Sequence, residues 1–171
     1  PDFRAPEKAF QMLVQAAGRA GRGAQSGEVI IQSYDPAHYI YQFVLSHDYI
    51  GFYHKEIDTR KLLKYPPFSR LCLVRVVSES EQHVFHYAGE IARYLRENNP
   101  NQLFQILGPA PAPLVRIDNQ YRYHVLIKQP RDKDPSMHYV RRLLREGVYK
   151  NKDVKRWPVA VHIDIDPVDI L

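Results

Sequence analysis

Residues 70–78 of the 171-residue chain read Arg-Leu-Cys-Leu-Val-Arg-Val-Val-Ser. Such a density of β-branched and apolar residues is typical of a β-strand. Ser78-Glu79-Ser80-Glu81 follows at once with the spacing of a capping box, which predicts the start of a helix. Apolar residues at helical spacing continue this helix until Asn98-Asn99-Pro100, where the proline ends it. A strand followed directly by an amphipathic helix predicts a sheet that is covered by helices.

The downstream sequence extends this pattern to the end of the chain. It predicts a short strand, a hairpin, a helix and a last alternating strand, over residues 104–107, 114–117 with 121–128, 134–148, and 159–165. Residues 108–113, Gly-Pro-Ala-Pro-Ala-Pro, predict a stiff extended connector. The order from residue 70 is therefore β-α-β-β-β-α-β. This order is typical of a two-layer α+β domain, a sheet with two helices on one face.

Residues 1–66 differ from this pattern and predict an incomplete unit. We expect a helix over 6–19, a short buried strand over 28–34, and helices that start at Asp35 and Asp48. Tyr65-Pro66-Pro67 ends the last of these helices, so we place the domain boundary between residues 66 and 67. One strand with three helices does not close a sheet. Because the chain also starts at Pro1 rather than at methionine, we expect it to be a piece of a longer protein.

The composition excludes several classes of protein. Hydrophobic residues make up 44% and charged residues 25% of the chain, which excludes wholesale disorder. No run of about 18 apolar residues and no signal-peptide pattern occurs, so we expect a cytoplasmic protein without a membrane partner. The single cysteine, Cys72, excludes a disulfide framework or a cysteine-rich zinc site within this chain, and its apolar surroundings predict a buried thiol. A net charge of +5 is compatible with an acidic partner.

One short motif carries a specific chemistry, Gln15-Ala16-Ala17-Gly18-Arg19-Ala20-Gly21-Arg22-Gly23. It presents Arg19 and Arg22 on glycine-flanked backbone at the end of a helix. A guanidinium is always charged and binds phosphate oxygens in pairs, so these arginines suit charge neutralisation in phosphoryl transfer. An ordinary basic, glycine-rich helix end explains the same pattern. No phosphate-cradling loop and no acidic metal-binding pair accompanies the motif, so the arginines would form half of a site.

The same motif resembles motif six of superfamily-two helicases, whose Q-x-x-G-R-x-G-R core it matches without a gap. Four ordered segments strengthen the resemblance, namely Asp2-Phe3-Arg4-Ala5-Pro6-Glu7, Lys64-Tyr65-Pro66-Pro67-Phe68, residues 108–113, and Asp164-Ile165-Asp166-Pro167. Together they resemble the C-terminal part of the PriA (primosomal protein N′) family, which are bacterial ATP-dependent 3′–5′ DNA helicases of replication restart and primosome assembly. The resemblance implies that residues 1–66 are the truncated end of a RecA-like α/β helicase lobe. It also implies that residues 67–171 form an α+β domain similar to a ribosomal small-subunit protein.

The resemblance assigns roles to three residues of the motif. Arg22 is the expected arginine finger, Arg19 a second phosphate or coupling contact, and Gln15 a polar group near the nucleotide. The family uses ATP with Mg²⁺, and it holds zinc through a cysteine-rich insertion that is absent from these 171 residues. We therefore expect this fragment to need no cofactor and not to hydrolyse ATP by itself.

A basic segment over residues 141–157 is the candidate DNA-binding surface. Seven Lys or Arg residues stand against two acids, Glu146 and Asp153, and a tryptophan follows them. Cations beside an aromatic ring suit a DNA backbone with unpaired bases, and the resemblance implies forks and single strands as ligands. A solvated helix face followed by a polar loop is the alternative. The candidate residues are Arg141, Arg142, Arg145, Lys150, Lys152, Lys155, Arg156 and Trp157.

A second basic segment, Lys128, Arg131 and Lys133, is expected in the loop between hairpin and helix. Such a loop beside a sheet edge could hold an acidic peptide. The resemblance implies the tail of a single-stranded DNA-binding protein as the occupant, and primosome proteins as further partners. An ordinary polar loop, with Asp132 partly cancelling the charge, is the alternative.

Two histidine-containing patterns predict surface residues rather than metal ligands. Period-two spacing places His162, Asp164 and Asp166 on one strand face, and the alternation with apolar residues makes this the solvent face. His83 and His86 are neighbours on a predicted helix without a third ligand nearby, so we expect them at the surface.

Three functions stay open on the sequence. The chain is a fragment of a replication-restart helicase, a stand-alone nucleic-acid-binding module, or a scaffold that binds only protein. The apolar residues 29–31 predict a crystal dimer through the truncated lobe.

Overall fold

The computed structural model describes residues 2–20, 28–168 and 170, which form five α-helices and four β-strands. In chain order these are α1 (Ala5–Ala20), α2 (Ile40–Leu45), α3 (Tyr49–Leu62), β1 (Ser69–Ser78), α4 (Glu81–Glu97), β2 (Gln105–Ile117), β3 (Gln120–Pro130), α5 (His138–Leu144) and β4 (Ala160–Ile165). The chain divides into two units, an N-terminal unit over residues 2–62 and a C-terminal unit from residue 63 onward. The division falls a few residues before the boundary expected at 66/67.

The C-terminal unit is built on one antiparallel sheet in the order β2-β3-β1-β4. β1 is central and pairs Cys72 with Ile127 of β3 and with Ile165 of β4. Alternate β-branched residues of these strands point to one face, where they pack against α4 and α5 in a single core. The expected α+β class is therefore confirmed, and Cys72 is fully buried in this core.

Two helices cover the core face of the sheet. α4 forms where a helix was expected, but its cap is Ser80 and not Ser78 of the predicted capping box. The side chain of Ser80 accepts the backbone N–H of His83, and the helix buries Val84, Ile91 and Leu95. The second helix was predicted over residues 134–148 but is shorter. Met137 has φ 55, so α5 starts only at His138, and residues 145–149 form a π-helical turn.

The edge strand β2 corrects the predicted strand order. Residues 104–107 and 114–117 were expected as two strands with a connector between them, but residues 105–117 form one strand with two register shifts against β3. An edge strand tolerates the prolines at 109, 111 and 113 because it needs no N–H donor on its outer side. Gly108 has φ 96, and a Cβ there would lie 2.6 Å from the carbonyl oxygen of His124. The sheet therefore has four strands, and the order is β-α-β-β-α-β.

The N-terminal unit is helical in its described part. Phe10 of α1 stacks on Phe52 of α3 with ring centroids 4.3 Å apart, and Ile40 and Val44 of α2 complete a small core. The buried strand predicted over residues 28–34 is wrong, because those residues pair with no strand in the described part of the chain and Ile30 is 86% exposed. The assignment of this unit to a RecA-like lobe stays a prediction. Within the described residues, no helix has the length and apolar content that a membrane crossing requires.

Candidate functional site

The two arginines at the start of the basic segment lie on the solvent side of α5. This helix buries Val140, Leu143 and Leu144 in the core, so Arg141 and Arg142 are exposed on its opposite side. The guanidinium carbon of Arg142 lies 5.2 Å from the centre of the Tyr139 ring, a cation–π contact that orients the charge. Both guanidinium groups are accessible to an anionic ligand.

The next two cations of the segment share a carboxylate. Arg145 Nε lies 3.2 Å and Lys150 Nζ 3.7 Å from Glu146 Oε1, so one acid partly neutralises both. Lys152, Lys155 and Arg156 are exposed farther along, and none of the three makes an ion pair with a residue that the structure describes. The basic segment therefore forms a surface in which Arg141, Arg142 and the last three cations carry most of the available charge.

Trp157 differs from the cations that precede it. Its ring is half-buried and packs against Tyr87 of α4, with ring centroids 4.5 Å apart. It joins the rim of the sheet–helix core. The basic surface therefore consists of exposed cations beside the Trp157 ring, and that ring is packed against Tyr87.

Lys128 is not a loop residue, which corrects the prediction for the second basic segment. It lies inside β3, whose residues 123–129 are all buried, and only 5% of Lys128 is exposed. Its Nζ donates to the carbonyl oxygen of Leu63 at 3.1 Å and lies 3.4 Å from the centre of the Tyr65 ring. Burial lowers the pKa of this ammonium group. Lys128 therefore holds the segment before β1 and is not displayed to a partner.

Arg131 and Lys133 are exposed, and they line a groove of about 850 Å³. Lys64 and Arg96 add two further cations to its walls, whereas Asp132 is the one acid among its described lining residues. Apolar side chains form part of the same lining, namely Phe68, Phe104 and Ile106. Such a groove suits a negatively charged segment with some apolar surface.

The cations of this groove are not equally available. Arg96 donates to the carbonyl oxygen of Gly108, and Lys133 Nζ lies 3.4 Å from the carbonyl oxygen of Gln102. The side chains of Arg131 and Lys64 make no hydrogen bond or ion pair with any residue in the described ranges. Sequence patterns did not predict this groove, because Lys64, Arg96 and Arg131 are widely separated along the chain and only the fold brings them together.

The motif at the end of α1 is only partly described. Gln15 and Arg19 are exposed on the helix, and Arg22 lies outside the described residues. Arg19 suits a phosphate contact chemically, because its guanidinium is exposed near the end of α1. The described residues also contain no group of three His, Cys, Asp or Glu side chains that could hold Mg²⁺ or zinc.

The polar face of β4 lies where the alternation predicted it. His162 and Asp164 are exposed, whereas the alternate residues Val161, Ile163 and Ile165 pack against the core. Asp166 follows the strand and receives the guanidinium of Arg70. Cys72 is not reactive in this setting, because burial raises the pKa of its thiol to about 12.

Comparison with known proteins places the chain in a family. Residues 61–168 match the model of the Primosomal protein N C-terminal domain. Three similar proteins are all named Replication restart protein PriA. The one from a Synechocystis species is 37% identical over 169 residues, the one from Bacillus subtilis 39% over 167, and the one from Haemophilus influenzae 31% over 170.

These alignments cover 98–99% of this chain but only 19–22% of the relatives, so the chain spans about a fifth of the length of the curated relatives it matches. They run through both units, which confirms the resemblance drawn from the sequence motifs. The chain belongs to the family of the Primosomal protein N C-terminal domain, and it corresponds to the C-terminal part of replication restart protein PriA.

Proposed function

We propose that this chain serves bacterial replication restart in the cytoplasm as the C-terminal part of a PriA-type DNA helicase, and that its own contribution is to bind DNA. The observation that carries the proposal is the basic surface, formed by Arg141, Arg142, Arg145, Lys150, Lys152, Lys155 and Arg156, on a domain of this family. Trp157 adjoins it. Forked and single-stranded DNA are the ligands, since a stalled fork presents both.

The chemistry of the basic surface favours phosphate contacts over base-specific ones. The cations lie on one short helix and the turns after it, without a recognition helix of the length that enters a major groove. Phosphate neutralisation releases counterions, so affinity falls steeply with salt. This mode tolerates any sequence, which a protein that acts at stalled forks requires.

The groove beside Arg131 and Lys133 supports a second function, docking of an acidic protein tail. We propose the tail of a single-stranded DNA-binding protein as its occupant, with other primosome proteins as partners of the longer molecule. Arg131 and Lys64 supply cations whose side chains make no hydrogen bond or close ion pair in the described part of the chain, and Phe68 and Ile106 supply apolar contact. Lys128 is excluded from this role by its burial.

ATP coupling is proposed only for a longer protein that contains this chain. There, Arg22, Arg19 and Gln15 would lie near the nucleotide, and Mg-bound ATP would supply the phosphoryl group whose charge the arginines neutralise. The exposed guanidinium of Arg19 fits that role. The described residues do not fit Mg²⁺ or zinc, since they contain no suitable set of ligands. We therefore expect the 171-residue chain to bind DNA without hydrolysing ATP.

The DNA-binding proposal is tested by fluorescence anisotropy with labelled single-stranded, duplex and three-way forked DNA over a salt series. We expect salt-sensitive binding that favours the fork. The double variant Arg141→Gln/Arg142→Gln should lose most of the affinity, and Arg93→Gln is the matched control because Glu90 and Glu97 already pair with Arg93. Absence of binding at low salt, or equal binding by the double variant, would refute the proposal and favour the protein-only scaffold.

A further inference from the structure

Four aromatic rings meet beside the first turns of α4, at the end of the basic surface and at the edge of the core. Tyr87 is their centre. The Trp157 ring lies 4.5 Å from it at 32°, the His86 ring 4.9 Å at 74°, and the His83 ring 6.4 Å at 62°. We call His83, His86, Tyr87 and Trp157 the aromatic cluster.

The aromatic cluster is accessible. His83 and His86 are exposed, and Tyr87 and Trp157 are half-buried, so each of the two larger rings keeps a part of its surface in solvent. A hollow of about 460 Å³ adjoins the cluster and is lined by His83, Ser78, Ser80, Gln120 and Pro158 among others. A volume of that size accommodates a planar ring with its sugar.

The cluster is also fixed in place. Ser78 Oγ donates to the carbonyl oxygen of Pro158 at 3.0 Å, which ties the residues after Trp157 to the end of β1. Tyr87 belongs to a 17-residue helix, and its ring packs against the edge of the core, which restricts its movement. A ring that stacked on this cluster would therefore meet a pre-ordered surface and would cost little ordering of the protein.

The charges around the cluster indicate which kind of ligand carries such a ring. Lys155 and Arg156 immediately precede Trp157 and are exposed, so cations lie on one side of the cluster. Glu79 is the one acid among the described lining residues of the hollow. A ligand with a phosphate backbone would place its phosphates toward Lys155 and Arg156, and its bases toward the rings and the hollow.

We propose that the aromatic cluster is a stacking site for unpaired bases of single-stranded DNA. Aromatic faces beside cations bind single strands without sequence preference, because every base has a π-face and every nucleotide a phosphate. The site rests on the proposed function, since it extends the basic surface from phosphate contacts to contacts with unpaired bases. It gives the domain a means of preferring DNA with single-stranded character over duplex.

Trp157 itself provides the test, because it is the only tryptophan of the chain. An oligo(dT) strand is titrated into the protein while the anisotropy of a label on the DNA and the emission of Trp157 are followed together. We expect the Trp157 emission to be quenched in step with the anisotropy. An abasic strand of equal phosphate number should still raise the anisotropy at low salt but should leave the emission unchanged.

Two variants separate stacking from packing. His83→Ala/His86→Ala removes two exposed rings without touching the core or the reporter, and it should weaken oligo(dT) binding about fivefold or more while leaving abasic-strand binding unchanged. Phe85→Ala is the matched control, because Phe85 is 60% exposed on the same helix and its ring meets Tyr123 instead of the cluster. It should bind oligo(dT) like the parent.

The outcomes distinguish this site from the proposed function. Saturating anisotropy with unchanged Trp157 emission would overturn the stacking site and leave DNA binding by the basic surface intact. Equal quenching by the abasic strand would also overturn it, because the change would then report phosphate contacts. No anisotropy change with any strand at low salt would overturn both proposals.

Discussion

Arg70 and Asp166, which are 96 residues apart in the chain, form a salt bridge in which both carboxylate oxygens accept hydrogen bonds. Arg70 Nε donates to both carboxylate oxygens of Asp166 at 3.1 Å each. The same guanidinium donates through Nη1 to the carbonyl oxygen of Ser136 at 3.2 Å. In addition, the backbone N–H of Asp166 donates to the carbonyl oxygen of Leu71 at 2.9 Å. One side chain thus holds the start of β1, the turn after β4 and the turn before α5.

We predict that Arg70→Ala lowers the free energy of unfolding by about 1–3 kcal/mol, because it removes charge-assisted hydrogen bonds from β1 to two other segments. Asp166→Asn should cost less, at most about 1 kcal/mol, since 48% of the Asp166 side chain is exposed and solvent screens the pair. Urea denaturation at neutral pH measures both values. Glu90→Gln, which breaks a helix-surface pair, is the control and should change little. Equal costs for all three variants would contradict the bridging role of Arg70.

The pH dependence of this salt bridge follows from the direction in which the pKa of Asp166 is shifted. The hydrogen bond from Arg70 holds the pKa of Asp166 below its usual range, although partial burial opposes this. The ionised Asp166 therefore stabilises the folded state fully above the ordinary aspartate pKa of about 3.9. This stabilisation is lost as the pH falls through the lower pKa that Asp166 has in the folded state. The stability difference between the parent and Asp166→Asn should accordingly shrink as the solution is acidified below about pH 4.

Sequence patterns predicted the elements that local chemistry determines. The β-branched residues located β1 and β4, and the serines at 78 and 80 located the start of α4 to within two residues, because a cap and a two-residue period act over a few positions. The strand predicted over residues 28–34 was wrong, because a β-branched segment forms a strand only where a partner strand pairs with its backbone. Lys128 was misplaced because its burial depends on contacts with the segment around Tyr65, which no local pattern encodes. The groove and the aromatic cluster likewise arise only in the fold.

Unequal contributions are expected within the basic surface. Arg141→Ala and Arg142→Ala should each weaken DNA binding and reduce the slope of log affinity against log salt by about 1, because each guanidinium is open to a phosphate. Arg145→Ala should do less, since Glu146 already holds Arg145 at 3.2 Å. Glu146→Gln should tighten binding by releasing Arg145 and Lys150. Anisotropy titrations at four or more salt concentrations measure the slopes, and an Arg145→Ala effect as large as that of Arg141→Ala would contradict this ranking.

Binding of an acidic peptide in the groove should depend on Arg131 and not on the cations of the basic surface. Arg131→Gln is expected to weaken binding of a synthetic acidic tail peptide by about fivefold or more, because it removes an exposed cation from the lining of the groove. Isothermal titration calorimetry with this peptide measures the loss. Arg142→Gln, on α5, is the control and should bind the peptide normally. The reverse result would move the peptide site from the groove to α5.

Lys128 is expected to matter for stability instead of for partners. Lys128→Glu should lower the free energy of unfolding by about 2 kcal/mol or more, because it places a carboxylate where only 5% of the residue is exposed. Lys128→Met keeps the length and apolar stem, and it should cost less than about 1.5 kcal/mol. Burial lowers the pKa of Lys128, so the parent should gain stability as pH rises toward about 10.4, and Lys128→Met should lack this gain. Denaturation curves from neutral to alkaline pH test both statements, and equal costs for Glu and Met would show that the site is open to water.

A close packing of Tyr94 on Gly147 explains the glycine in the π-helical turn after α5. A Cβ at position 147 would overlap the Tyr94 ring, and the ring cannot easily retreat because its hydroxyl donates to the carbonyl oxygen of Leu143 at 3.4 Å. Gly147→Ala should therefore lower the free energy of unfolding by about 1–3 kcal/mol. Gly89→Ala is the matched control, since a Cβ in the middle of α4 would meet open space and should stabilise the helix by about 0.5–1 kcal/mol. Thermal denaturation of the two variants should thus show shifts of opposite sign. Equal shifts would mean that the Tyr94 ring moves aside and leaves room for the added methyl group.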